Sequence, residues 1–525
     1  MLGVLVAVAL LLRIWHLEIK PPHFDEGING HFVMRMWKVG YYHYDPTNFH
    51  GPLYFYFLQL SELIFGKGIF AFRFVTALMS VGIVYLVGLH RRFFGTAAIW
   101  AAAVIALSPG FVFYGRYAIH ESLFILLQIL FTYGFFLYRE ERSRSAFAMM
   151  VIGIFGSFAV KETFFIFYGT WAIAWLCVKI ADRLFPTVDS PGRSALELDK
   201  KARKKKAKEE AAARPAPANL STKTPATNAD KIAIIVLGAL GAVLFFSGFF
   251  MNPGGIGDMF HALAVWTKTG VGQTGHEKPM GYWVQLLTTY EWPFFIFFLA
   301  SLVAFFFVNR ASRAMILTAI GTFIAYSIIP YKTPWLILNM LWPMAFGLGI
   351  VLQKLGEPAV RARFAFARPL ALLALLGSLG YSGYTMLRLN FKDFVKQGEP
   401  YVYVQTTMQF KNVMDYIRER VKQRPEDLNM IVKVLNRDTW PIPWTLGDFP
   451  NLQYGKPEDA QLDGVPVVLA DGAADAIIKS KLRGRYWVVP FHIRDAYDPG
   501  QAYLDFEKFK SIVPADSPIH EGVAP

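Results

Sequence analysis

Long apolar runs separated by short polar stretches dominate residues 1–388 of the chain. A helix needs about 20 predominantly apolar residues to cross the roughly 30 Å hydrocarbon core of a bilayer. On that basis the pattern predicts eleven spans, several of them short, at 1–17, 72–89, 96–113, 121–138, 146–160, 164–181, 231–250, 293–308, 314–330, 334–353 and 369–388. The apolar stretch 51–65 carries Gln59 and Glu62, so we expect it to form a surface or re-entrant arm.

The pattern changes from residue 389 onward, where short helical and strand-like segments alternate. Helical periodicity occurs at 407–421 and 473–481, and strand-like runs occur at 430–435, 465–469 and 486–490. This alternation predicts a small α/β domain with a partly parallel sheet. A Pro-rich aromatic loop at 440–444 suits domain packing better than ligand binding. The fold class is therefore a polytopic α-helical membrane protein with about eleven transmembrane helices and a C-terminal α/β domain.

Lysine and arginine are concentrated in alternate loops between the apolar segments. The rich loops are 90–92, 139–144, 182–230, 310–313 and 354–368, and the positive-inside rule places them in the cytoplasm. The outer side then receives 18–71, 114–120, 161–162, 251–292, 331–333 and the C-terminal part. The chain is 54% hydrophobic and 18% charged, with a net charge of +14. Because this surplus follows the topology of a membrane protein, it does not indicate nucleic-acid binding.

These assignments divide the chain into four parts. They are an N-terminal transmembrane module (1–181), a basic cytoplasmic linker (182–230), a second transmembrane module (231–388) and an extracytoplasmic domain (389–525). The linker combines a Lys- and Arg-rich run with Ala, Pro and Thr, so we expect it to be disordered. The first segment opens without a cleavage-site pattern and is expected to be a retained anchor. The single cysteine, Cys177, excludes an intramolecular disulfide.

Two adjacent carboxylates, Asp25 and Glu26, follow the first apolar segment. Behind them Ile28, Phe32 and Met36 repeat at helical spacing and predict an amphipathic helix over 26–39. Asp25 could simply be the N-cap of this helix. A helix N-terminus also keeps a carboxylate ionised and oriented, which a general base requires. We therefore treat the pair as candidate catalytic residues.

Other ionisable side chains are expected at the same side of the membrane. They are Arg116, His120, Glu121, Lys161, Glu162 and Lys332, the last preceded by Tyr331. Each one alone also suits an interfacial anchor. Together, the two lysines and the arginine would suit a phosphate group.

Histidines are frequent in the outer loops, and three of them are candidate metal ligands. His23 and His50 lie in the first outer loop and His276 lies in the loop 251–292. Imidazole and carboxylate ligands could hold a divalent metal, but no spacing here matches a defined metal site.

Taken in order, these motifs resemble the GT-C glycosyltransferases. The likeness rests on the Asp25-Glu26 pair, the arm Gly-Pro-Leu-Tyr-Phe-Tyr at 51–56, Phe65-Gly66, Arg73, and the stretches 114–121, 161–162 and 331–335. It is similar to the branch of protein O-mannosyltransferases and bacterial aminoarabinose transferases. The subfamily that matches best is described as flippase-activity-associated proteins of prokaryotic N-glycosylation. The resemblance covers about residues 1–390, and the C-terminal domain departs from the accessory domain of the O-mannosyltransferases.

The resemblance implies an inverting transferase that takes a sugar from a polyprenyl-phosphate donor. By that similarity Asp25, with Glu26 beside it, would take the proton of the acceptor. The residues that would hold the lipid phosphate are Arg116, Lys161, Tyr331 and Lys332. His120, Glu121 and Glu162 would support the acid–base chemistry or the acceptor, which could be a glycan, a lipid or a protein.

Two other functions fit the same sequence. A lipid-linked sugar flippase would place ionisable residues near the bilayer midplane on broken helices, whereas most charges here fall at the ends of spans. A non-catalytic membrane scaffold would use the C-terminal domain to bind a partner protein. Glycosyl transfer at the extracytoplasmic face explains most of the polar clusters and is the preferred interpretation.

Overall fold

The structure is a computed structural model that describes residues 1–185, 225–271, 275–363, 365–494 and 499–522. Most of the predicted linker 182–230 lies outside the described residues. The helices, in chain order, are α1 (Leu2–Ile14), α2 (Phe24–Val39), α3 (Leu53–Phe65), α4 (Ile69–Leu89), α5 (Arg91–Phe94), α6 (Thr96–Leu107), α7 (Pro109–Tyr114), α8 (Glu121–Glu141), α9 (Arg144–Val160), α10 (Phe164–Leu184), α11 (Asn228–Phe246), α12 (Gly255–Val271), α13 (Tyr282–Tyr290), α14 (Trp292–Ala304), α15 (Arg310–Ile328), α16 (Leu338–Gly356), α17 (Pro358–Arg363), α18 (Ala367–Phe391), α19 (Met408–Gln423), α20 (Ile442–Thr445), α21 (Asp475–Lys481) and α22 (Phe506–Phe509).

Seven helices among the described residues are long and apolar enough to cross a membrane. They are Ile69–Phe94, Glu121–Glu141, Phe164–Leu184, Asn228–Phe246, Arg310–Ile328, Pro334–Gly356 and Ala367–Phe391. One further pair, α13 with Trp292–Phe307, is bent by 116° and forms a broken span or a re-entrant loop. The spans predicted at 1–17, 96–113 and 146–160 are shorter apolar helices, as is the arm predicted at 51–65. Each predicted span therefore coincides with an apolar helix, and the number of crossings stays a prediction.

Helix α16 lies at the centre of the helical bundle. Every residue from 338 to 352 is buried, as expected for a helix that is apolar on all sides. Two polar residues on it, Asn339 and Trp342, are satisfied by one side chain of α8. Gln128 donates to Asn339 Oδ1 at 3.0 Å and accepts from Trp342 Nε1 at 3.0 Å. Because buried polar groups need such partners, these bonds fix α16 against α8.

The C-terminal part forms the predicted α/β domain around a six-stranded sheet in the described residues. The strands are β1 (Val432–Leu435), β2 (Leu452–Tyr454), β3 (Val467–Asp471), β4 (Arg485–Phe491), β5 (Gly500–Asp505) and β6 (Ile519–Glu521). Their order is β2-β1-β3-β5-β4-β6, and β1 runs parallel to both β2 and β3. The remaining pairs are antiparallel. The sequence pattern predicted β1, β3 and β4, and it missed β2, β5 and β6.

The aromatic loop 440–444 packs this domain against α2. A Cβ atom added at Gly30 would come within 2.3 Å of the Trp444 ring, and one at Gly27 within 2.3 Å of Pro441. Trp444 also stacks on Phe72 of α4, with ring centroids 5.1 Å apart. The two glycines of α2 therefore permit a contact closer than any larger residue would allow. The loop lies in the domain interface, as the sequence predicted.

A short extended segment joins the domain to the chain just before α2. Gln405 forms an antiparallel bridge with His23, and the next residue, Thr406, forms one with Arg494. The Thr406 hydroxyl also donates to the carbonyl oxygen of Pro22 at 2.5 Å. These bonds fix the start of α2, residues 405–406 and the segment just after β4 against one another.

Candidate functional site

A cavity of about 520 Å³ lies between α2, the first turn of α8 and the C-terminal domain. Its polar and aromatic lining includes Asp25, Asn29, His50, His120, Glu121, Lys161, Glu162, His276, Tyr331, Trp335, Tyr403 and Arg494. Every loop that the charge pattern assigned to the outer side contributes to this wall. The chain thus brings together side chains that are up to 469 positions apart, from Asp25 to Arg494.

Asp25 lies in the first turn of α2 and not at its N-cap. The cap is His23, whose Nδ1 accepts the backbone N–H of Asp25 at 3.1 Å. The N-cap interpretation of Asp25 is therefore wrong. Within the described residues, no hydrogen bond or ion pair reaches the half-buried Asp25 carboxylate. The carboxylate lines the cavity, so it can accept a proton from a molecule there.

Glu26 points away from the cavity and is fully buried. Its carboxylate accepts two hydrogen bonds from Arg73, at 2.8 and 2.7 Å, and one each from the backbone N–H groups of His23 and Ala118. Burial alone would raise the pKa of Glu26, but the charge and hydrogen bonds of Arg73 and these N–H groups lower it. A carboxylate held in this way positions α2 and cannot take a proton from a substrate. This placement corrects the expectation that Glu26 shares the chemistry of Asp25.

The wall beside α3 and α8 holds two histidines and a carboxylate. His50 Nδ1 donates to Glu162 at 2.9 Å, and the ring of His120 lies 4.6 Å from the His50 ring. His120 is only 3% exposed, and its Nε2 has no hydrogen-bond partner among the described residues. Burial, assisted by His50 and Lys161, lowers the pKa of His120 well below its ordinary value. A neutral imidazole beside a His–Glu pair can orient a hydroxyl or accept its proton.

Lys161 and Glu121 form a buried ion pair across the cavity wall. Lys161 follows the last residue of α9, and Glu121 is the first residue of α8. Both side chains line the cavity and are at most 5% exposed. Lys161 therefore places a positive charge where the sequence predicted one, although a carboxylate already binds it.

Arg116 does not line the cavity, contrary to expectation. Its guanidinium donates to four backbone carbonyl groups around the C-terminal end of α1, those of Leu12, Arg13, Trp15 and His16, at 2.7 to 3.3 Å. Such carbonyl groups lack partners within the helix and carry partial negative charge. Arg116 therefore caps α1.

Lys332 is also absent from the cavity lining, whereas its neighbour Tyr331 is part of it. The ammonium group of Lys332 donates to the carbonyl groups of Lys278 and Ile329, at 3.0 and 2.6 Å. Burial raises the pKa of the Tyr331 hydroxyl, and the negative charge of Asp25 raises it further. Lys332 thus supports the loop that carries Tyr331, and the phenol stays protonated as a hydrogen-bond donor.

The three histidines considered as metal ligands are bonded to protein groups. His23 Nε2 contacts the carbonyl oxygen of Tyr403 at 2.8 Å, His276 Nδ1 contacts the Tyr403 hydroxyl at 2.6 Å, and His50 pairs with Glu162. In the part of the chain that the structure describes, no group of three or more His, Cys, Asp or Glu side chains could hold a metal ion. The donor set formed by the described residues therefore does not fit a divalent metal.

Two polar lining residues of the C-terminal domain, Tyr403 and Arg494, were missed by the sequence analysis. Arg494 forms an ion pair with Asp438, and its guanidinium lies 4.3 Å from the ring centroid of Phe24. Tyr403 bonds His23 and His276 as described above. No local sequence signal points to either residue, because their position depends on docking of the domain.

Comparison with known proteins adds one family match and several structural matches. Residues 49–187 match the family described as dolichyl-phosphate-mannose-protein mannosyltransferase. The fold is similar to that of ArnT from Cupriavidus metallidurans bound to undecaprenyl phosphate, with 13% identity, 95% of this chain and 97% of that chain covered, and a TM-score of 0.58. The apo structure of the same ArnT gives a TM-score of 0.56 at 13% identity and the same coverage. A search of curated proteins found no match.

A third structural match is the oligosaccharyltransferase of Archaeoglobus fulgidus. It is 14% identical, with 99% of this chain and 74% of that chain covered and a TM-score of 0.50. The apolar helices define a multi-pass membrane protein that carries a C-terminal sheet domain. More particularly, the chain has the GT-C fold of the membrane glycosyltransferases that it matches. The subfamily predicted from the sequence stays a prediction.

Proposed function

We propose that this protein is an inverting membrane glycosyltransferase with Asp25 as its general base. It transfers a sugar from a polyprenyl-phosphate donor to an acceptor at the extracytoplasmic face. The observation that carries the proposal is the half-buried Asp25 carboxylate, which lines a cavity of about 520 Å³ in a protein of the GT-C fold. The cavity lies beneath a domain that the positive-inside rule assigns to the outer side.

The similar proteins support the donor class. One ArnT structure contains undecaprenyl phosphate, and the matching family is named for dolichyl-phosphate-mannose. Both lipids are polyprenyl phosphates, with a long apolar chain and one phosphate group. Such a chain would lie in the bilayer beside the apolar helices, and its sugar phosphate would enter the cavity.

The chemistry needs a base on one side of the sugar and positive charge on the other. Asp25 removes the proton from the acceptor, whose freed electron pair forms the bond to the anomeric carbon. The bond from that carbon to the phosphate oxygen breaks, and polyprenyl phosphate leaves with both electrons. Lys161 stabilises the negative charge that develops on the phosphate. His50, with Glu162, and His120 line the same cavity and would orient the acceptor.

The direct test is the substitution Asp25→Asn. It keeps the size of the side chain and removes its basicity, so sugar transfer from a polyprenyl-phosphate sugar is expected to fall by at least about 100-fold. A matched control is Glu18→Gln, because Glu18 is an exposed acid in the same loop that does not line the cavity. Turnover by Asp25→Asn equal to that of the control would refute the role of Asp25.

The same preparation separates transfer from lipid transport. In proteoliposomes, a glycosyltransferase converts the donor without moving it between leaflets. Translocation of a polyprenyl-linked sugar that proceeds equally in the Asp25→Asn variant, with no transfer to any acceptor, would instead identify a flippase.

A further inference from the structure

A second cavity, of about 410 Å³, lies in the C-terminal domain at one edge of its sheet. Its lining follows the strand ends: Asn436 and Asp438 come after β1, Asp471 ends β3, Phe491 ends β4 and Gly500 begins β5. In sheets with parallel strands, ligands bind outside the carboxyl ends, where connections from neighbouring strands leave in opposite directions. The chain leaves β1 toward β2 and leaves β3 toward β4, on opposite sides, so this cavity lies at such a point.

A buried polar group beside this cavity lacks a hydrogen-bond partner. The side chain of Asn436 lines the cavity and is only 8% exposed. Its Nδ2 donates to Asp471 Oδ1 at 2.9 Å, which leaves the amide oxygen of Asn436 as an acceptor. Within the described part of the chain, no group donates to that oxygen. Because an unsatisfied buried carbonyl costs free energy, its position at a cavity indicates a ligand that donates a hydrogen bond there.

The groups around Asn436 indicate the chemistry of such a ligand. The Asp471 carboxylate accepts from Asn436 and from the backbone N–H of Arg437, at 2.8 Å, and has capacity for further donors. The exposed Arg437 side chain can donate from the rim. Buried Phe491 and Ile493 give the cavity an apolar side. A sugar ring, which combines hydroxyl groups with apolar C–H faces, matches this lining of apolar side chains and a few placed polar groups.

A phosphate group fits the same cavity poorly. Asp471 has no ion-pair partner among the residues that the structure describes, and its negative charge would repel an anion. Backbone N–H groups that could bind an anion are already used. That of Arg437 donates to Asp471. That of Gly472 donates to the carbonyl oxygen of Pro499 at 2.6 Å. The cavity therefore favours a neutral ligand with hydroxyl groups over a nucleotide.

This second cavity adjoins the one that contains Asp25. Arg494 lines the first cavity and Asp438 lines the second, and the ion pair between the two side chains lies between the cavities. We propose that the second cavity binds a sugar residue of the acceptor, so that the acceptor is a glycan held by the C-terminal domain. This rests on the proposed function, because it names the acceptor class for the same transfer. Asn436 and Asp471 are binding residues in this scheme.

The experiment measures binding of simple sugars to the purified full-length protein in detergent, without donor. The probes are the methyl glycosides of glucose, galactose, mannose and N-acetylglucosamine, and a peptide rich in serine and threonine represents a protein acceptor. Saturation-transfer NMR detects binding, and titration gives each dissociation constant. The variants are Asn436→Leu, Arg437→Ala and the control Asn451→Leu. Asn451 is an exposed amide of the same domain and lines neither cavity.

At least one glycoside is expected to bind the wild type. Asn436→Leu should weaken that binding by about threefold to tenfold, which is the effect of one lost hydrogen bond between neutral groups. Arg437→Ala should weaken it by a smaller factor, because this side chain is at the exposed rim. Asn451→Leu should bind as the wild type does. The unfolding midpoint shows which variants keep the fold, and Arg437→Ala decides alone if Asn436→Leu does not fold.

Three results would overturn the inference, and none of them bears on the proposed function, which Asp25→Asn tests separately. Failure of the wild type to bind any of the four glycosides at millimolar concentration would show that the cavity is not a sugar site. Wild-type affinity in every folded variant would place sugar binding elsewhere on the protein. Binding of the peptide instead of the glycosides, weakened by Asn436→Leu, would identify a protein acceptor.

Discussion

Replacing the carboxylate by an amide should affect stability at Glu26 and activity at Asp25. Glu26→Gln replaces a buried acceptor of four hydrogen bonds, two of them from Arg73, with an amide that directs N–H groups at a guanidinium. Breaking a buried ion pair by altering one partner typically costs about 3–5 kcal/mol, because the remaining charge stays buried. Asp25→Asn alters a group that has no hydrogen-bond or ion-pair partner among the described residues. The free energy of unfolding of this variant should therefore differ from that of the wild type by no more than about 0.5 kcal/mol.

Stability is measured by the midpoint of unfolding in a titration with denaturing detergent, and activity by transfer of sugar from the donor. Glu26→Gln should unfold at a clearly lower detergent fraction. Asp25→Asn should unfold at the same detergent fraction as the wild type and should lack transferase activity. Replacing the buried pair with apolar residues, as Glu26→Leu with Arg73→Met, should recover part of the stability because neither charge is left alone.

The pH dependence gives a second check on Glu26. Its pKa in the folded protein lies below the ordinary value of 4.5, so its stabilising effect is complete above that value. The effect is lost as the pH falls through the lowered pKa, where the folded protein must also take up the proton. The stability difference between wild type and Glu26→Gln should therefore be constant near neutral pH and shrink below about pH 4.5. Equal stabilities at pH 7, or a larger loss in Asp25→Asn than in Glu26→Gln, would refute this account.

Three further predictions concern the domain interface, the cavity wall and metal. Gly30→Ala should cost about 1–3 kcal/mol and increase proteolysis between the domain and the membrane part, because its Cβ would meet Trp444, while Gly169→Ala, with open space around it, should do neither. Lys161→Met should destabilise the protein by about 3–5 kcal/mol and abolish sugar transfer. Adding Glu121→Leu should recover the stability but not the activity, because no buried charge is then left unpaired. Recovery of both stability and activity would show that Lys161 is only structural. Treatment with EDTA should leave turnover unchanged, and a loss reversed by a divalent ion would reveal a metal site that the described residues do not form.

The fold was predictable where a local pattern reports on burial. The 3.6-residue period over 26–39 predicted α2, and the observed helix Phe24–Val39 buries Phe32, Val33 and Met36 as that period requires. The apolar runs likewise coincide with helices because each run must avoid water along its whole length. Strands β2 and β6 were missed because each has only three residues, too few for an alternating pattern to emerge.

The composition of the site was harder to predict than its location. The charge pattern identified the loops that meet around the cavity, and it could not tell which charged groups stay available. The guanidinium of Arg116 is hydrogen-bonded to carbonyl groups at the end of α1, about a hundred residues earlier in the chain. The carboxylate of Glu26 forms an ion pair with Arg73. Arg494 enters the cavity wall from the opposite direction, through docking of a domain, and it is paired with Asp438 there. Availability of a charge depends on such long-range contacts, which no spacing within a motif records.

The bridges that Gln405 makes to His23 and Thr406 makes to Arg494 have a consequence for biosynthesis. The start of α2 leaves the ribosome early, yet the partners that hold it arrive hundreds of residues later. Asp25 and its surroundings therefore cannot reach their final arrangement until residues 405–494 have emerged and folded back. Under the proposed function, the nascent membrane part would lack a complete site, and transfer would begin only after the segment that contains Arg494 had been translated.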